Sequence, residues 1–454
     1  MIGELQPNKQ PDSQARIQIQ ANGRHIPMHP LYRKISRRLV PFLMLLYLVA
    51  FLDRVNVGFA ALTMNRDLHI DASLFGLAAG MFFLGYFFFE LPSNLILLRV
   101  GARRWIMILM IAWGVISVAT AFVPGSRMYI VLRFLLGLAE AGFYPGVILY
   151  LTFWLPPSVR TSVMAIFVTA IPLSNLIGAP VSAHILELDN ALGLRGWQWL
   201  FLMEGSPAIL LGALVYFLLP DSPEHVRWLT SEETRTLESD LRAAAPAHSP
   251  KHHSFLDMFT EEPSVYGWSF AYFCLMLGLY GLGFWIPTVL ASHGLTLENL
   301  GWAAALPYLA AIVVMMFWSR HSDIRNERRA HLTAAYGAGM IGFLTAAFAP
   351  NAAIAILGFT IAASGILAAM PVFWSASTLE LAGPLVAVHI AVINSIGNLG
   401  GFVGPVAMGW LRQATRHYIA GLVCIAASLG CGALTTANLA KKRNVKVAQS
   451  PGSP

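Results

Sequence analysis

The apolar residues of this chain fall in long runs divided by short polar breaks. A helix needs about 20 mostly apolar residues to cross a bilayer. Reading the runs between breaks predicts twelve such helices, near residues 39–62, 73–98, 104–124, 128–155, 162–186, 198–219, 264–291, 299–319, 331–349, 352–379, 384–411 and 416–439. The stretch from Pro220 to Pro263 is the one long polar interior segment, with Arg227, Arg235, Arg242 and Lys251 set among nine acids. It divides the chain into a tail (1–38), a six-helix bundle (39–219), a central loop (220–263), a second six-helix bundle (264–439) and a closing tail (440–454). The expected fold class is an all-α polytopic membrane protein.

Composition points the same way. The chain is 56% hydrophobic and 12% charged, against roughly 25% charged in an average soluble domain. A soluble protein of 454 residues has too little interior to hide that much apolar surface. The first 38 residues are polar and basic with no apolar core, so the first span, not a cleaved signal, is the expected topogenic element. Cys274, Cys424 and Cys431 lie within apolar runs at no metal-ligand spacing, and read as packing residues.

The formal charge of +7 is a topology signal. Of thirty Lys and Arg, 23 fall on the tails and the even-numbered loops, whereas the odd-numbered loops carry only Arg66, Arg127, Arg195, Arg412 and Arg416. The excess of cations on one side predicts cytoplasmic termini and a cytoplasmic central loop. Nucleic acid is thereby excluded as the expected partner; the lipid bilayer takes its place.

The two halves read as copies. RVGARR at Arg99–Arg104 has a counterpart in DIRNERR at Asp323–Arg329, and Pro180 has one in Pro405, both at an offset of 225 residues. The same offset carries Asp53, Arg54, Arg133 and Glu140 onto Gly278, Leu279, Gly358 and Gly365. Membrane charge therefore belongs to the first half alone. A charge in hydrocarbon costs roughly 2.5–3.5 kcal/mol on insertion scales, so it persists only when paired or facing a polar cavity. Two acids and two arginines suggest protons on the former and an anion on the latter.

Arg133 and Glu140 lie seven residues apart, on one helix face and about 10 Å from each other. Each needs a partner from another span. Asp53 and Arg54 are neighbours pointing about 100° apart. The economical arrangement sets Asp53 against Arg133, with Glu140 nearby and Arg54 turned to another polar neighbour. Protonating Asp53 then frees Arg133 for a substrate carboxylate, which favours proton and anion together. The competing expectation is a fixed ion pair that only orders helices. Tyr86, Asn175, Tyr280, Trp374, Asn394 and Asn398 have polar atoms at membrane depth that can complete a pocket, or serve as packing residues. Glu90 and Glu204 read as anchors near span ends, and His389 as structural. The hairpin residues Arg103, Arg104, Asp323, Arg328 and Arg329 read as gates. No phosphate-binding loop or catalytic set is present in the sequence, so neither an enzyme nor ATP-driven transport is expected. His248, His252 and His253 read as a solvated tail, and no metal or cofactor beyond the coupling proton is called for.

The segments FLDRVNVGFA, GYFFFELPSN, LLRVGARRW, RFLLGLAEAGFYPG and YGLGFWIPT, with the two hairpins, resemble the major facilitator superfamily, in particular its anion:cation symporter family. The similarity runs from about residue 36 to 440, and lies nearest bacterial permeases for tartrate, sugar acids and aromatic acids. It implies two six-helix bundles, alternating access and a bacterial inner-membrane location. It further implies proton sites at Asp53 and Glu140, structural, coupling or anion-binding roles for Arg54 and Arg133, and substrate contacts at Tyr86, Trp374 and Asn394. The first hairpin departs from the superfamily pattern, with Leu98 where an Asp is usual; only the second, with Asp323, retains the acid. The expected activity is proton-coupled uptake of a small organic anion, such as tartrate or a sugar acid, by a monomer. An aromatic acid, anion exchange, or a sensor that binds acids without moving them are the alternatives.

Overall fold

The computed structural model describes residues 29–244, 263–381 and 386–448, and every regular element among them is helical. His248, Lys251, His252 and His253 lie outside the described residues. The first half comprises α1 (Pro30–Asp67), α2 (Ala72–Val100), α3 (Ala102–Thr120), α4 (Ser126–Glu140), α5 (Phe143–Thr152), α6 (Pro157–Val168), α7 (Ala170–Leu186) and α8 (Gly196–Leu218). A polar helix, α9 (Ser231–Ala244), follows. The second half holds α10 (Ser264–Ser292), α11 (Leu297–Arg325), α12 (Arg329–Ala347), α13 (Ala352–Glu380), α14 (Val386–Thr415) and α15 (Ile419–Ala448).

Among the described residues, eleven helical segments are long and apolar enough to cross a membrane. The expected ninth span is α12, whose Arg329, His331, Tyr336, glycines and threonines keep it below that measure. It packs against α13 and α15 nonetheless. A Cβ on Gly342 would lie 2.2 Å from the backbone nitrogen of Ala362, so only glycine permits this approach. Small residues at such contacts let helix backbones nearly touch, which is how helices associate where no hydrophobic force separates them from lipid.

Two expected spans are broken, for the same reason. Residues 128–155 form α4 and α5, parted just after Glu140, because Pro145 has no N–H for the carbonyl of Ala141. Residues 162–186 divide at Thr169, where Pro172 cannot bond Val168. At the chain's start, α1 begins earlier than the apolar run. Its first turns bury Leu31 and Ile35, and α9 is fastened there by Tyr32 to Asp240 and by Lys34 to Glu233 at 2.7 Å.

Within the first half α1 packs on α7 and α8, α2 on α4, and α3 on α8; within the second, α10 packs on α14 and α15, and α11 on α13. The halves meet along α2–α14, α7–α11 and α1–α10. We call the side where α1 begins the near face and the opposite side the far face. Toward the far face the halves touch backbone to backbone. A Cβ on Gly76 would stand 2.3 Å from the carbonyl oxygen of Pro405, and one on Gly409 would stand 2.3 Å from that of Ala72. Nearer the near face, Asn394 of α14 donates to Glu90 of α2 at 3.0 Å.

Candidate functional site

The four membrane charges converge in the first half, but not in the expected pairs. Asp53, Arg133 and Glu140 are each 1% exposed. Arg54 donates from Nε to one carboxylate oxygen of Glu140 at 2.7 Å, and its Nη2 lies 2.7 Å from that same oxygen. Its guanidinium also lies 4.7 Å from the ring centroid of Phe51, 5.0 Å from Phe82 and 5.6 Å from Tyr86. The second half reaches it through Tyr280, whose hydroxyl accepts from Nη1 at 3.5 Å.

Asp53 does not meet Arg133. Its face of α1 is turned toward α3, where Ser117 donates to Oδ1 at 2.7 Å, and Asn56 one turn on donates at 3.4 Å. Arg54, about 100° further round α1, points instead to the end of α4 and finds Glu140. Arg133, two turns earlier on α4, is left over. Among the described residues none of its three guanidinium nitrogens has a hydrogen-bond partner; its charge rests 5.1 Å from the ring of Phe82. One carboxylate oxygen on each acid is likewise buried without a partner, Oδ2 of Asp53 and Oε1 of Glu140. A cation and two acids held this way in a membrane interior form the candidate site of the chain.

The neutral candidates separate into groups. Tyr86 and Tyr280 flank the Arg54–Glu140 pair. Trp374 lies apart, its ring 4.9 Å from Tyr272. Asn394 is joined to Glu90, and Asn398 stands one turn further along α14, half-buried. Asn175 spends its amide on the carbonyl of Ile171 in its own helix, at 2.9 Å.

The hairpin residues hold contacts within their own halves. Asp323 and Arg328 lie 3.5 Å apart, and Arg328 also donates to Ser375 at 2.7 Å. In the first half, where the hairpin acid is missing, Arg103 pairs with Asp221 at 2.8 Å and reaches the carbonyl of Tyr216. Arg104 is exposed and Arg329 half-buried.

Two acids set aside as anchors sit deeper than their sequence positions suggest. Glu204 is 5% exposed, accepts from Ser182 at 2.8 Å, and lies with Asn56 close to Asp53. It stands eight residues into α8, about 12 Å from the helix start. Glu90 bridges the halves. The signal for both was the one that marked Asp53, an ionisable residue in an apolar run; nearness to a span end hid it.

Comparison with known proteins adds the family. The Major Facilitator Superfamily model matches residues 43–405, and a second match covers 268–451. A protein of Agrobacterium vitis named "Putative tartrate transporter" is 46% identical over 409 residues, covering 90% of this chain and 91% of that one. The inner membrane transport protein RhmT of Escherichia coli is 34% identical over 422 residues, covering 91% of this chain and 96% of its own. The crystal structure of a bacterial homolog of the human lysosomal transporter Spinster, in an inward-facing and occupied conformation, aligns with a TM-score of 0.70 at 16% identity. That alignment spans 94% of this chain and 100% of the other, and speaks to the fold alone.

Proposed function

Because this chain belongs to the major facilitator superfamily and is a transporter, not an enzyme, we propose that it takes up a small organic anion by proton-coupled symport. The acid is a hydroxylated carboxylate such as tartrate or a sugar acid. In this reading α12 crosses the membrane as a twelfth span, the near face is the cytoplasmic face of a bacterial inner membrane, and the monomer is the working unit.

The observation that carries the reading is the buried network in which Glu140 occupies Arg54 while Arg133 stays unpaired. With Glu140 ionised, Arg54 is neutralised and has little to offer an incoming carboxylate. A proton arriving at Oε1, the oxygen without a donor, removes that negative charge and releases the guanidinium. Arg54 is the cation at the seam, with its side chain 11% exposed and Tyr280 of the second half beside it. A planar guanidinium binds a carboxylate through two parallel N–H groups, so the freed side chain is suited to the substrate. Arg133 adds positive charge from behind. The loaded state thus contains proton and anion together, and loss of the proton restores the Arg54–Glu140 pair and expels the anion. Asp53, held by Ser117 and Asn56 and in no ion pair with either arginine among the described residues, is a second proton site. Net coupling follows from linkage: each ligand binds more tightly when the other is present.

The test uses proteoliposomes with a pH dye inside and no imposed gradient. Tartrate, sugar acids and aromatic acids are added one at a time. Acidification of the lumen with a hydroxylated acid supports the proposal. Entry of labelled acid without acidification would make the protein an exchanger or uniporter, and the two acids structural.

A further inference from the structure

On the far face, at the seam that Gly76 and Gly409 close, lies a cleft of about 310 Å³ with walls from both halves. Asn65 of α1 and Phe75 of α2 stand on one side; Trp285 of α10, with Arg412 and Arg416 at the end of α14, stands on the other. The far-face loops carry five cations in all, and two of them line this one cleft. Arg195, by contrast, lies 3.7 Å from both Asp67 and Asp189. Among the described residues neither Arg412 nor Arg416 forms an ion pair. Arg412 rests over the ring of Tyr418, 4.6 Å from its centroid.

Three further observations suit the cleft to an anion. Arg416 adopts φ 62, the left-handed region that favours glycine, and its N–H closes on the carbonyl of Arg412 at 2.9 Å. This left-handed cap ends α14, and Arg416 lines the cleft together with Arg412. Trp285 is 2% exposed, yet its Nε1–H has no acceptor among the described residues. The Oδ1 of Asn65 is buried with no donor. Two guanidinium groups, an indole N–H and an amide oxygen match a carboxylate that bears a neighbouring hydroxyl. The cations and the indole serve the carboxylate, and the amide oxygen accepts from the hydroxyl.

We propose that this cleft is an outer binding site for a hydroxylated carboxylate, separate from the buried network. The identity of the acid rests on the transport reading; the site itself rests on the cleft. Since its walls belong to opposite halves, the site is complete only while the far face is closed. Acid bound there favours that state over the open one by as much as it prefers the assembled cleft.

The experiment is equilibrium binding of radiolabelled tartrate to the full chain in phosphatidylcholine nanodiscs. Wild type is expected to show two classes of site, the weaker one sensitive to salt. Arg412→Gln/Arg416→Gln is expected to weaken that class at least tenfold, and Trp285→Phe, which keeps an aromatic ring and removes the N–H, several-fold. Unchanged thermal unfolding of the Trp285 variant separates lost binding from lost folding. A single class in wild type, or two classes surviving in the double variant, overturns the proposal. Loss of the weaker class when phosphatidylglycerol replaces phosphatidylcholine also overturns it, because the cleft then holds a lipid headgroup. If no acid crosses the membrane while the double variant still loses a tartrate class, the transport reading falls and the cleft stands.

Discussion

Arg54 and Glu140 are joined through one carboxylate oxygen, which accepts from Nε of the guanidinium at 2.7 Å and lies 2.7 Å from Nη2. The other oxygen of Glu140 is left buried and unpartnered. A bidentate pair would have used both oxygens. The one-sided grip leaves a place for a proton on the same group that holds the arginine.

Glu140→Gln therefore keeps the shape of the pair and removes its titration. Proton-driven accumulation of the acid is expected to be lost, while exchange of labelled for unlabelled acid across the membrane persists. Counterflow and accumulation assays on the same proteoliposomes separate the two. Accumulation against a gradient in this variant would remove Glu140 from coupling.

Arg133 makes no side-chain hydrogen bond among the described residues, so its removal breaks none there. Arg133→Met replaces a desolvated cation by an apolar side chain of similar length. Removing a buried charge that forms no pair relieves its desolvation cost, which works against the attraction it loses to the nearby acids. Thermal unfolding in detergent is expected to be unchanged or higher, and uptake to fall at least tenfold. Destabilisation by several kcal/mol would instead show that Arg133 braces the fold.

Arg103 and Asp221 stand in for the acid missing from the first hairpin. Asp221 is 56% exposed, so the pair is worth little to stability, about 0.2–1 kcal/mol in a double-mutant cycle. Arg103→Ala is expected to slow turnover by more than that figure implies, because it loosens the hairpin through the carbonyl of Tyr216 as well. Turnover equal to wild type would make the contact ornamental.

The attachment of α9 to α1 is expected to depend on pH. The hydrogen bond from Lys34, reinforced by the backbone N–H of Thr230, holds the Glu233 carboxyl below the ordinary glutamate range. A carboxyl whose proton affinity falls on docking stabilises the docked state above its free titration range, and that contribution is lost as pH falls through the docked value. Protection of residues 231–244 from hydrogen exchange, measured against the intrinsic exchange rate at each pH, should therefore fall in acid. Glu233→Gln should be less protected at neutral pH and lose most of that acid response; an unchanged acid response would show that Glu233 does not set it.

The helices and the charged positions were legible in the sequence because both follow from the cost of polar groups in hydrocarbon. Who pairs with whom was not. Helical periodicity put Asp53 and Arg54 about 100° apart, but whether Asp53 faced α3 or α4 depended on packing between helices far apart in the chain. Ser117 carries no charge and stands in an ordinary apolar run, so nothing local singled it out as the partner of Asp53. Asp221 was visible as an acid in the polar segment, but its reach back to Arg103 spans 118 residues. α9 went unread because its apolar face is narrow: Leu237 is fully buried, while most of its neighbours are polar.

Asp53 and Arg54 are consecutive residues of one continuous helix, and each is fastened to a different neighbour, α3 in one case and α4 in the other. A turn of α1 about its own axis cannot disturb one contact and spare the other. The Ser117 and Glu140 contacts are thus geared to a single shaft, and any rotation of α1 strains both together.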